Sequence, residues 1–462
     1  MKETQFQAQI KKKNFTLTAE QVVLYKQSKI IKAIDEQAND YYLFFYKDYF
    51  LTGAKADAVN ITADTYVHRA FTNGIVYKGS HPLAQHLIRQ QKNFPFLHVE
   101  PMIKKVQETF SPIETTLIHT FFDSFMSVDS IKQSLKDTFK RYQRNGQTFA
   151  AYQVLNVYLN YDPTDRFAMD MFNGPQFKQY KETYKDLEKL SKKDPIQFES
   201  LCFDNLYQDT ETGILLELYM EQNRWMDELA IRINVLKHSF SQANFTSIQT
   251  MLQHLPSEEQ MKLLQEINQS SNHPIVQEAF ITNLLASGKP NDMVTFILTT
   301  DILPKEEQLA TLITQLEQAD YNHMASFFTT SNKRLLNLSN NNPQTLERLV
   351  FPFVSSFLQD YEFSEILDWF APFHEAAFHL PVEQKLVKMQ TLADDPDRQF
   401  ELGELYIHFN QLEKSIDCFK WKVELNPQAF ESVKYLAKIN NELNYQEEAA
   451  AYQQLLIQMQ KS

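Results

Sequence analysis

Only 8 of the 462 residues are glycine, where average usage of about 7% would supply roughly 32. β-rich folds spend glycine freely on tight turns and helix interiors exclude it, so the scarcity argues for an all-α chain. Cysteine is scarcer still. Cys202 and Cys418 stand far apart with no CxxC, which excludes a disulfide framework and leaves two buried small side chains. No run approaches the roughly 20 apolar residues that span a bilayer, since even Tyr41 to Leu51 is broken by Lys47 and Asp48. Met1 to Gln21 lacks the apolar core of a secretory signal. Membrane insertion is therefore not expected, and the cytoplasm is the expected compartment. Clustered positive charge is also missing. The net charge is −13, and Lys11, Lys12 and Lys13 form the one tight basic run, so nucleic-acid binding is not expected.

What is present demands a fold. Hydrophobic residues make up 43% of the chain, with 36 Phe and 21 Tyr, and such aromatics oppose disorder because they require burial. The length exceeds one ordinary core, which implies two or more domains or an elongated array. Proline recurs just after a residue able to cap a helix: Ser111-Pro112, Asp162-Pro163, Asp194-Pro195, Asn342-Pro343, Asp395-Pro396 and Asn426-Pro427. A Ser, Asp or Asn side chain accepts the orphan N–H groups of a first turn, and proline at the first helical position loses no hydrogen bond. Each pair predicts a helix start, and Ser111 with Glu114 forms a capping box. Apolar spacing such as Leu263, Leu264 and Ile267 is helical. The expected organisation is residues 1–97 as an aromatic-rich N-terminal region, 98–338 as degenerate helical repeats and 343–462 as a C-terminal helical region. The main break lies at the polar run 338–343, with a second candidate at Ser191 to Pro195 after a charged helix, Lys178 to Lys193.

Within residues 1–97, Tyr42, Phe45, Tyr46 and Tyr49 share one face if this segment is helical, which reads as a buried docking helix. Asn73-Gly74 lies between Tyr66 to Thr72 and Ile75 to Lys78, the position of a two-residue hairpin or of a turn between helices.

Catalytic motifs are absent. No GxGxxG, P-loop or GxSxG occurs. His374-Glu375-Ala376-Ala377-Phe378-His379 places its histidines five apart, about 140° around a helix, and HExxH needs four. His81 and His86 share that spacing. No catalytic, cofactor-binding or metal-binding residue is therefore expected.

Near the C-terminus, Leu402, Gly403 and Tyr406 are followed by Ser415, Phe419 and Pro427, and Leu436, Ala437 and Ala449 repeat part of that order. This arrangement resembles the tetratricopeptide (TPR) repeat family, clearest over residues 396–460 and degenerate upstream, where Glu217-Leu218-Tyr219 and Asn223 echo Glu404-Leu405-Tyr406 and Asn410. Asn440 and Gln453 depart from the large residues at Tyr406 and Phe419. The resemblance implies helical hairpins stacked as an α-solenoid, and a non-enzymatic scaffold or adaptor that binds a partner protein or peptide. It places ligands on the first helices of the repeats, here Phe400, Glu404, Lys434, Lys438 and Asn441. The alternative is a regulator whose repeats sense a peptide and whose effector is residues 1–97, which carry 13 Lys/Arg against 8 Asp/Glu.

Overall fold

Polar and apolar residues alternate strictly along Gln5–Ile10, a period of two that commits the segment to a half-buried strand. The computed structural model describes residues 4–11, 13–56, 61–271, 273–300 and 303–460; Lys12 of the basic run lies outside them. Seven strands form one sheet: β1 (Gln5–Ile10), β2 (Lys13–Tyr25), β3 (Ser28–Ile34), β4 (Asp40–Tyr46), β5 (Tyr49–Lys55), β6 (Ile75–Lys78) and β7 (Phe94–Phe96). Their order is β5-β4-β3-β2-β1-β7, with β6 also on β2. Among the described strands only the β1–β7 pairing is parallel.

The all-α expectation is thus corrected for the N-terminal region, which is a sheet rather than one short hairpin; helices dominate everything after it. Tyr41 to Phe50 is not a docking helix but the β4–β5 hairpin. Tyr66–Asn73 is a helix, and Ile75–Lys78 pairs with β2 instead of folding back on it. The expected charged helix at 178–193 is broken into 3-10 turns, Pro175–Tyr180 and Thr183–Lys185, before the helix Leu187–Lys193.

The sheet curls until its outer strands meet. Thr52 Oγ1 accepts from Leu97 N (2.8 Å) and donates to Leu97 O (2.9 Å), and the Phe96 ring lies where a side chain on Gly53 would be. Inside the curl Phe6, Phe45, Phe50 and Phe94 pack mostly edge to face, with centroids 4.9–6.2 Å apart. The other face presents Val23, Tyr25, Ile30, Tyr42, Phe44 and Tyr46 to a core shared with helical residues as far along the chain as Ile231.

Chain contacts divide the protein into two compact units, Met1–Val276 and Gln277–Ser462. The run 338–343 lies inside the second, between helices Phe328–Leu338 and Pro343–Asp360. Of the cap–proline pairs, Ser111, Asp194 and Asn342 cap helices, and Asp395 caps a 3-10 turn. Asp162 and Asn426 instead form turns with Thr164 N and Gln428 N. The helices there begin later, at Arg166 and Phe430.

Candidate partner-binding surface

Three helices of the second unit end in one recurring turn. At Asn410, φ is +57°; its N–H donates to Ile407 O (2.9 Å) and Gln411 N to Tyr406 O (2.8 Å). This is the Schellman arrangement, which satisfies the last carbonyls of a helix through one left-handed residue. Ala377 (φ +60°) and Asn444 (φ +61°) repeat it, with bonds from Phe378 N to Phe373 O and from Tyr445 N to Asn440 O, both 2.8 Å. From Ala377 to Asn410 is 33 positions, and from there to Asn444 is 34. Gly146 and Asn223 form the same turn in the first unit.

Packing between the helices follows. A Cβ on Gly403 would stand 2.8 Å from the Phe419 ring, so only glycine lets helix Gln399–His408 lie this close to Leu412–Leu425. Phe419 in turn stacks on Tyr435 of the next helix, Phe430–Glu442, at 4.8 Å and 7°. Phe400 meets both rings at 5.5 and 5.8 Å.

Phe400 is consequently half-buried, holding adjacent hairpins together, and not an open contact residue. Glu404, Lys434, Lys438 and Asn441 are exposed. Lys434 and Lys438 carry carboxylates of their own helix, Glu431 at 3.5 Å and Glu442 at 3.7 Å; such exposed pairs are weak. Glu404 accepts from Tyr435 OH (3.2 Å). Tyr435 therefore joins this surface, although the sequence reading passed over it.

The first unit holds a buried charge network instead. Lys29 Nζ donates to Asp227 Oδ2 (2.6 Å) and Asp48 Oδ1 (2.9 Å). Arg224 grips Glu199 bidentately at 2.7 and 2.8 Å and reaches Asp227 at 3.0 Å. Burial works against ionisation of Asp227, but Arg224 and Lys29 outweigh it and hold the carboxyl below its ordinary range. The network ties β3 to helices Pro195–Asp204 and Trp225–His238. Beside it, a polar cavity of about 260 Å³ is lined by Lys47, Glu114, Asp194 and Glu199. Burial and then Arg224 lower the Lys47 pKa, and burial raises that of Asp194.

His374 bonds to Glu383 (2.6 Å), and the His379 ring is 5.8 Å away. Among the described residues no group of His, Cys, Asp or Glu is placed to hold a metal ion, and no helix is long and apolar enough to cross a membrane. No protein-family model matches the chain, and no curated protein is significantly similar to it.

Proposed function

We propose that the hairpins between residues 371 and 459 are TPR-like repeats, stacked as a short solenoid, and that the protein is a non-enzymatic scaffold binding an acidic extended peptide of a partner protein. The supporting observation is the return of one left-handed turn at Ala377, Asn410 and Asn444, a period of 33 and then 34 residues, with Gly403 seated under Phe419. A repeat of about 34 residues is the TPR length. Each such unit buries its apolar face on its neighbour and leaves one polar face continuous. On that face Lys434 and Lys438 supply ammonium groups, and Asn441 supplies a carboxamide that pairs with a peptide bond.

The test is affinity capture from native lysate with the full chain and with Lys434→Glu/Lys438→Glu. Both positions are exposed, so the variant keeps its fold. A protein retained by the first and lost by the second is the expected result; equal recovery by both overturns the assignment of this face.

A further inference from the structure

Among the described residues, β6 is paired on one side only. Gly79 N donates to Glu20 O (2.7 Å), so Glu20 and Gly79 are a hydrogen-bonded pair of the antiparallel ladder. Such pairs alternate with non-bonded ones. Tyr77 with Val22 and Ile75 with Leu24 are then the pairs that exchange main-chain bonds. The N–H and C=O of Val76 and the N–H of Lys78 point the other way; the Lys78 carbonyl accepts from His81 N (2.9 Å). Among the described strands, β5 and β7 cover each other through Thr52 and Leu97. The outer edge of β6 has no such cover.

Residues 73–77, up to but not including Lys78, form one wall of a groove of about 630 Å³, within the size of functional ligand sites. The facing wall carries Asn205, Tyr207, Gln208, Asn234 and Lys237. Its charges are already met: Lys237 pairs with Glu266 (2.5 Å), and Asp204 pairs with Lys26 (2.9 Å). What remains is a row of carboxamides, of which Asn205 donates to Leu201 O (2.9 Å), Gln208 to Asn205 Oδ1 (3.3 Å) and Asn234 to the Tyr207 hydroxyl (3.2 Å); each amide has further donor and acceptor capacity, opposite the outward main-chain groups of β6. Val76 and Tyr207, 38% and 57% exposed, add apolar surface on either side. Tyr77 also lines the groove, and its buried hydroxyl has no partner. A neutral, amide-lined slot beside an open strand complements a peptide main chain, and not a phosphate or an organic ion.

We propose that an extended peptide of a partner protein adds to β6 as a further strand, bonded through its main chain to Val76 and Lys78 and flanked by Tyr207, Gln208 and Asn234. Four residues of β6 span about 13 Å at 3.3 Å per residue, so the slot reads roughly four residues of an added strand. This site lies in the first unit and stands independently of the repeat surface.

A phage-displayed library of random linear peptides, panned on the full chain, supplies the probe. An enriched peptide is then made and titrated by fluorescence anisotropy. Val76→Pro removes one outward N–H and no bond to β2, as edge strands tolerate; Val76→Thr keeps that N–H. The expected result is roughly tenfold weaker binding to Val76→Pro, unchanged binding to Val76→Thr, and slowed hydrogen exchange at Val76 and Lys78. Tyr207→Ala/Asn234→Leu, on the opposite wall, is expected to weaken the same peptide. Equal binding to all variants overturns the proposal, as does exchange protection placed elsewhere. A homodimer that Val76→Pro dissolves also overturns it, by making a second copy of the chain the occupant.

Discussion

Both oxygens of Asp123 lie 2.9 Å from the Tyr66 N–H, the donor at the start of helix Tyr66–Asn73, with Ser124 adjacent and Arg69 3.8 Å away. Burial pushes its carboxyl up to about 6. A folded-state value above the unfolded one means that the stability it contributes is complete below pH 4 and is lost as pH rises through 6. His119 runs the other way. Burial lowers it to about 4, so its contribution is complete above pH 6.5 and lost as pH falls toward 4. Urea denaturation at a series of pH values should find Asp123→Asn gaining on the native protein between pH 4 and 7, by at most about 3 kcal/mol. His119→Gln should lose the native protein's decline between pH 6.5 and 4. The thiols give a third outcome at this scale. Burial pushes Cys202 up to about 12 and Cys418 up to about 11, so a thiol-specific chromogenic reagent at pH 8 should label neither until guanidinium is added.

At the scale of elements, two glycines separate packing from backbone strain. Gly403→Ala drives a Cβ into a Phe419 ring held by Tyr435 and should cost about 2 kcal/mol. Gly146→Ala meets nothing within 4 Å and carries only the left-handed backbone of φ +72°, about 1 kcal/mol. Thermal melts of both variants check the difference. Glycine also explains what composition hid. The two-residue turns of the sheet put Lys26 and Lys47, each with φ +53°, where glycine is usual, so a low glycine count did not exclude strands. Tyr41–Tyr46 is buried on both faces, which erased the alternation a half-exposed strand displays. The alternation in Gln5–Ile10 was there to be read. Helix starts at Ser111, Asp194 and Asn342 were legible because a cap is a local bond; Asp162 and Asn426 spend the same local chemistry on turns. Four of the five candidate surface residues are exposed, since polar character predicts exposure. Phe400 is the exception, because its neighbours Phe419 and Tyr435 come from other helices.

For the whole molecule, long-range pairing matters most and was least legible. Lys29 and Asp227 meet across 198 positions, and nothing local in either segment announces the other. Removing one partner strands the rest as uncompensated buried charge, so Asp227→Ala should cost the Met1–Val276 unit about 3–5 kcal/mol. Hydrogen exchange should show that loss in β3 and in helix Trp225–His238, with protection of Leu412–Leu425 unchanged.

β2 serves two short neighbours along one side, β1 beside residues 13–18 and β6 beside residues 21–24, and its pairing with β3 on the other side shifts register between Ala19 and Gln21. Among the described strands that side meets only β3, through a turn of two residues. The meander from β2 to β5 closes through short loops, whereas β6 returns from some 50 residues away, and loop-closure entropy delays distant pairings. β7, pairing with β1 across 86 positions (Ala8 to Phe94), is farther still, so β6 and β7 are the late arrivals during folding, which gives the one sheet a firm half and a provisional one.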